Sequence, residues 1–238
     1  MKEICEKIIL ALDLPDLKKC EFVLDELKDC LKVVKIGSAS FYRLGEPLIQ
    51  LVKKRNLEIF LDFKFHDIPN TVAEAIEGVI PWGLKMFTVH LSGGADMLKA
   101  SVKRTHEAAS KMGVLKPMVL GISVLTSIDQ NVLKRDLRIP LPLEEWVSNL
   151  AGLARECGLD GIVASAHEIE RIREVVGNDL KIVCPGIRMA DDVKADQKRT
   201  LTVGEALKRG ADFLVIGRPI YEAARPREMF EKILSEVR

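Results

Sequence analysis

The chain has 238 residues, with 36 Lys and Arg against 35 Asp and Glu and a formal net charge of +1. This balance argues against a nucleic-acid-binding face. A chain of this length buries about 70–75% of its unfolded surface and needs no disulfide staples. Its five cysteines, Cys5, Cys20, Cys30, Cys157 and Cys184, are an odd number at unrelated spacings. They read as buried, reduced thiols rather than a zinc or redox motif.

The first apolar run, in "KIILALDL", is cut by Asp13 and Pro15. It is too short for a signal-peptide core or a membrane span, and no later run is long enough. The expectation is a soluble, cytoplasmic protein with no membrane partner. From there two kinds of segment alternate. "KIILALDL" precedes the helical spacing of "PDLKKCEFVLDELKD", "LKVVKIG" precedes "EPLIQLVKKRN", and "LEIFLDFK" precedes "TVAEAIEGVI". "LKMFTVHL" leads to "ADMLKASVKRTHEAASKM", "KPMVLGISVL" to "LEEWVSNLAGLARECG", and "LDGIVAS" to "HEIERIREVVG". "LKIVCPG" with "TVGEALKRG" and "ADFLVIG" with "REMFEKILSEV" complete the series. The apolar runs lack strict alternation, as strands buried on both faces do. Several helical segments close on Asn56, Gly113, Gly158, Gly177 or Gly210, the usual C-terminal stop.

Eight such repeats without a linker predict one (β/α)₈ TIM barrel, a single domain over residues 1–238. An open doubly wound sheet is the alternative, but the first turn, "ALDLPDLKK", lacks GxGxxG. Two connections exceed a minimal turn, "TSIDQNVLKRDLRIPLP" after the fifth strand and "IRMADDVKADQKRT" after the seventh. Both follow strand C-termini, where barrel enzymes place their sites, and are lid or clamp candidates.

The stretch "IFLDFKFHDIPNT" places Asp62, Lys64, His66 and Asp67 at the end of a buried strand. Residues two apart on a strand share a face, so Asp62 and Lys64 point into the barrel mouth while Phe63 and Phe65 point to the helices. Lys35, late in the second strand, and Asp13, ending the first, add to the same mouth. Charge then runs positive, negative, positive, negative across Lys35, Asp62, Lys64 and Asp67. An ordinary salt-bridge cluster is the competing explanation. It suits a single Asp–Lys pair, but four charges are costly to desolvate for stability alone. His66 joins Asp62 and Lys64 only if the strand stays regular, so it is assigned a supporting role. His90 ends the fourth strand at the same mouth, whereas His106 and His167 read as surface.

"CPGIR" ends the seventh strand and "VIGRP" the eighth. Barrel loops at these two positions frequently bind phosphate, with glycines allowing close backbone approach and arginines adding guanidinium forks. Gly186, Arg188, Gly217 and Arg218 therefore point to a phosphorylated substrate.

These residues resemble the orotidine 5′-monophosphate decarboxylase family nearly end to end. "LDFKFHDIPNTV" is similar to its D-x-K-x-x-D-I-x-x-T signature, and "LALD", "VKIG", "VLTS", "PGIR", "DQKR" and "IGRPI" fall in the family's order. The resemblance implies decarboxylation of orotidine monophosphate to UMP and CO₂ in pyrimidine biosynthesis. It implies no metal, no cofactor and a homodimer of barrels. It makes Lys64 the proton donor and sets Asp62 beside the substrate carboxylate. Lys35 orders the array and contacts ribose, and Asp13 binds a ribose hydroxyl. Asp67, with Thr71 nearby, reaches into the partner's site. Thr126 contacts the pyrimidine and Gln197 bridges pyrimidine and phosphate. Arg188, Gly217 and Arg218 hold the phosphate.

Two rivals remain at this point. Sugar-phosphate decarboxylases and hexulose-phosphate synthases of the same superfamily share D-x-K-x-x-D but use magnesium, with a carboxylate late in the second strand where this chain has Lys35. A non-catalytic nucleotide-binding barrel would not need both Asp62 and Lys64.

Overall fold

A computed structural model describes residues 2–187 and 201–236. Eight parallel strands close into a barrel in sequence order. They are β1 (Ile8–Ala11), β2 (Val33–Gly37), β3 (Glu58–Phe65), β4 (Met86–His90), β5 (Met118–Ile122), β6 (Gly161–Val163), β7 (Lys181–Pro185) and β8 (Phe213–Ile216). β1 pairs with both β2 and β8, which closes the ring. The (β/α)₈ expectation holds, and the open sheet is excluded.

The helical layer is richer than one helix per strand. It comprises α1 (Lys2–Cys5), α2 (Leu17–Leu27), α3 (Ser38–Leu44), α4 (Glu46–Lys53), α5 (Pro69–Val79) and α6 (Gly94–Met112). It continues with α7 (Gln130–Arg135), α8 (Leu143–Glu156), α9 (Ile169–Val176), α10 (Val203–Lys208), α11 (Arg218–Tyr221) and α12 (Pro226–Ser235). Strict one-to-one alternation therefore fails in three connections. Between β2 and β3 the chain forms two helices because Gly45, at φ +63°, breaks the path, a conformation open to glycine without cost. The long connection after β5 is not all loop. Asp129 caps α7 by accepting from the Val132 amide at 2.9 Å. After β8, the short α11 precedes α12. Among the described residues, no helix is long and apolar enough to cross a membrane.

Two cores result from the barrel's two faces. Inward side chains such as Ile9, Val33, Phe60, Met86, Val183 and Val215 fill the barrel. Outward ones such as Leu10, Val34, Leu61 and Phe87 pack against the helices. All five cysteines are free, and only Cys30 is not buried. Burial pushes the Cys184 thiol up to about 12, which fits an inert structural thiol.

At the N-terminal face, two aspartates lock neighbouring strands. The Asp160 carboxylate accepts from the Val119 amide at 2.8 Å and from Lys116 at 2.7 Å. Asp212 repeats the device, accepting from the Ile182 amide at 2.9 Å, Lys181 at 2.9 Å and Arg173 at 2.7 Å. Arg173 also donates to the carbonyls of Gly210 and Leu180. Burial raises the Asp212 carboxyl, but these donors more than offset it and hold it below the usual range. Asp212→Ala strands several donors at once. It is expected to cost about 2–3 kcal/mol of stability, read as a lower urea midpoint with unchanged activity per folded molecule.

Candidate active site

Polar residues take over the inward positions as the strands approach their C-terminal ends. On β2, Val33 is followed on the same face by Lys35 and Gly37, and on β3 Phe60 is followed by Asp62. On β4, Met86 is followed by Thr88 and His90. Ladder pairing sets Ala11 beside Lys35 and Gly37 beside Asp62, so these side chains meet at one level of the mouth.

The geometry there is a chain of alternating charges. Lys35 Nζ lies 3.4 Å from Asp13 Oδ1 and 3.5 Å from Asp62 Oδ2. Lys64 Nζ donates to Asp62 Oδ2 at 2.8 Å. The side chains of Lys35 and Asp62 are each 12% exposed, against 38% for Lys64 and 45% for Asp13. Burial pushes the Asp62 carboxyl up. The Lys35 and Lys64 ammonium groups, with hydrogen bonds from Lys64 and Thr88, outweigh that and hold it below the ordinary carboxylate value. Asp62 is therefore ionised at neutral pH, between two cations.

Asp62 and Lys64 converge as the strand period suggests, but not through a regular strand. Leu61 pairs with Phe87 and Phe65 with Val89, so β3 spends extra residues between them. Lys64 sits in that bulge at φ +53°, a left-handed conformation uncommon for a residue with a Cβ. Its amide donates to Thr88 Oγ1 at 2.9 Å. Phe63 and Phe65 point outward as expected. Phe63 packs on Phe41 at 4.9 Å between ring centroids, and Phe65 on Phe87 at 6.1 Å.

The other candidates are more scattered. Asp67 and Thr71 are exposed. The Asp67 carboxylate accepts from the Ile68 amide at 2.7 Å, and among the described residues it joins no ion pair. Within one chain the array thus runs Asp13, Lys35, Asp62, Lys64, without Asp67. Thr126 is exposed in the connection after β5. Gly217 lies against β1, where an added Cβ would meet Ala11 Cβ at 3.2 Å, and Arg218 is exposed at the start of α11. Gly186 follows β7 with φ +76°. Arg188 and Gln197 lie outside the described residues. His66 falls beyond the end of β3 and stacks on His90, with centroids 5.1 Å apart. Burial, with His66 and the Lys64 ammonium nearby, holds the His90 imidazole below its usual value. His90 Nδ1 is 2.9 Å from Ser92 Oγ. His106 and His167 are exposed, as read.

Two contributors escaped the sequence reading. Thr88 is buried and looks like any β-branched strand residue. Its one signal is a hydroxyl two positions before His90, on the inward face. Gly37 drew no reading from the sequence, yet a Cβ there would meet Asp13 Oδ1 at 3.2 Å and Lys35 Nζ at 3.3 Å. Its missing side chain leaves room for the array. Among the described residues, no cluster of three or more His, Cys, Asp or Glu side chains could hold a metal ion.

Fold and site together define a (β/α)₈-barrel enzyme with its ionisable groups at the strand C-termini. Residues 6–233 match the model of the orotidine 5′-phosphate decarboxylase / HUMPS family, and the chain belongs to that family. An orotidine 5′-phosphate decarboxylase from Nostoc sp. is 41% identical over 98% of this chain and 97% of its own. One from Moorella thermoacetica is 42% identical over 98% and 92%. The crystal structure of orotidine 5′-phosphate decarboxylase from Lactobacillus acidophilus is similar, with TM-score 0.84 and 34% identity, covering 97% of this chain and 98% of that one.

Proposed function

We propose that Lys64 protonates the carbanion formed when orotidine 5′-monophosphate loses CO₂ to give UMP, within the array of Lys35, Asp62, Lys64 and Asp67. The observation that carries this reading is Asp62 Oδ2 held 2.8 Å from one ammonium and 3.5 Å from another. The C6–carboxylate bond breaks and its electron pair stays at C6, in the plane of the ring. The π-system cannot spread that charge. A fixed ammonium at C6 offsets it electrostatically and then delivers a proton, forming the C6–H bond. Solvent returns the proton to Lys64. Asp62 anchors Lys64 and sits where the departing carboxylate lies, with repulsion a secondary contribution. Asp13 and Lys35 take the ribose and Thr126 the pyrimidine. Gln197 bridges pyrimidine and phosphate, and Arg188, Gly217 and Arg218 take the phosphate end. Binding energy from that remote group holds the array in its working geometry.

The magnesium-dependent alternative within the family is disfavoured by charge. Lys35 and Lys64 flank the Asp62 carboxylate, whose side chain is 12% exposed, so a divalent cation would face two like charges. The test is a spectrophotometric assay with orotidine monophosphate. Turnover is expected to be unchanged by EDTA, and loss with EDTA that magnesium restores would replace this reading with the metal-dependent one.

A homodimer in a cytoplasmic pathway completes the proposal, with Asp67 and Thr71 supplied to the partner's site. Support comes from the exposure of Asp67 and its neighbour in sequence Ile68 (67% exposed), and of Tyr42 (81% exposed), which stacks on Phe63 of β3, apolar side chains that a partner would cover. Mixing an Asp67→Ala protein with a Lys64→Ala protein under subunit exchange is expected to restore activity above either parent. Hybrid dimers then carry one intact site. Absence of recovery would count against the shared site.

A further inference from the structure

We infer that Thr88 is a positioning residue for this site, whose single hydroxyl fixes both the Asp62 carboxylate and the bulged backbone of Lys64. The inference rests on the proposed reading of the site as a decarboxylase. Thr88 lies on β4, fully buried, and touches neither end of the array by charge. Its Oγ1 donates to Asp62 Oδ1 at 3.0 Å and accepts from the Lys64 amide at 2.9 Å. A hydroxyl has one proton to give and lone pairs to receive, so one group serves both contacts.

The geometry explains why both contacts matter. Asp62 uses Oδ2 for Lys64 and Lys35. Thr88 holds the other oxygen, so the carboxylate cannot rotate about its bond to Cβ. The Lys64 amide, lifted off the β3–β4 ladder by the bulge, is part-buried against Thr88, and an amide withdrawn from water without a partner is costly. Thr88 thereby stabilises the left-handed turn at Lys64 from which the ammonium reaches Asp62. The charged groups facing Asp62 come from β2 (Lys35) and β3 (Lys64), and Asp13 lies on the far side of Lys35. Thr88 is the neutral group on the β4 side.

Thr88→Val keeps the branched shape and removes the hydroxyl, and Thr88→Ser keeps the hydroxyl. For Val, kcat is expected to fall about 10- to 100-fold, the scale of a lost hydrogen bond to a charged group. KM should stay within about threefold, because Thr88 binds no part of the nucleotide. Ser should recover most of the rate. Losing the Thr88 donor also moves the Asp62 titration upward, measured directly by ¹³C NMR of its carboxyl carbon. Val and wild type with the same kcat and the same Asp62 titration would overturn the inference. So would equal impairment of Ser and Val, which points to packing alone. If wild type fails to decarboxylate orotidine monophosphate, the functional reading falls. The Asp62 titration in the two variants still decides the role of Thr88.

Discussion

Lys64→Ala is expected to lower turnover of orotidine monophosphate by about 10⁴- to 10⁶-fold, the combined scale of a lost general acid and a lost electrostatic partner. UMP affinity should change by less than about tenfold, since the remaining nucleotide contacts persist. Stability should change by less than about 1 kcal/mol, because the Lys64 side chain is 38% exposed and its ion pair is screened. Asp62 keeps Lys35 as a partner. This split between chemistry and binding separates an enzyme from a nucleotide-binding barrel, in which Lys64 would affect binding alone. Single-turnover kinetics and UMP calorimetry on the same preparation measure both halves.

Asp62→Asn carries the second large effect. Asn preserves the shape and removes the charge, so Lys64 loses its ion-pair partner within the chain while Lys35 retains Asp13. Turnover is expected to fall about 10³-fold or more, as the ammonium is no longer held at the reacting carbon. Stability should fall in a pH-dependent way. The folded Asp62 carboxyl lies below its ordinary value of 3.8, so its contribution is fully present above that value. It is lost as pH falls through the lower folded value. The gap between wild type and Asp62→Asn, about 1–3 kcal/mol at pH 7, should therefore close under acidic conditions. Urea midpoints across a pH series test this. A gap that widens toward acid would mean that the carboxylate is a net cost to the fold.

Much of this architecture was legible in the chain because a parallel barrel buries both strand faces. Runs such as "LKIVCPG" and "ADFLVIG" carry that signature without needing long-range information. The extra helices were less legible. α3 follows directly from β2, and a single φ at Gly45 separates it from α4, a backbone fact with little trace in hydropathy. At the site, period two brought Asp62 and Lys64 to one face, and the structure joins them at 2.8 Å. The route differs. The bulge and the left-handed Lys64 depend on a hydroxyl 24 residues away, on another strand. No local pattern in "LDFKFH" reports Thr88. Gly37 was hidden for the same reason, since its function is the space it leaves between Asp13 and Lys35.

His66 shows the opposite case. A histidine beside two aspartates and a lysine invites a general-base role. The end of β3 at Phe65 turns it out of the array and onto His90. His90 in turn is half-buried near Lys64 and held toward its neutral form. The stacked pair borders the array.

The central claim is that the Lys64 ammonium gives its proton to C6. By microscopic reversibility, the same group must remove that proton from bound UMP. Proton NMR of UMP in deuterium oxide measures this directly, as loss of the C6 proton signal. Wild type is expected to exchange the C6 proton for deuterium, and Lys64→Ala, saturated with UMP, is expected not to. Exchange by Lys64→Ala at the wild-type rate would contradict the account.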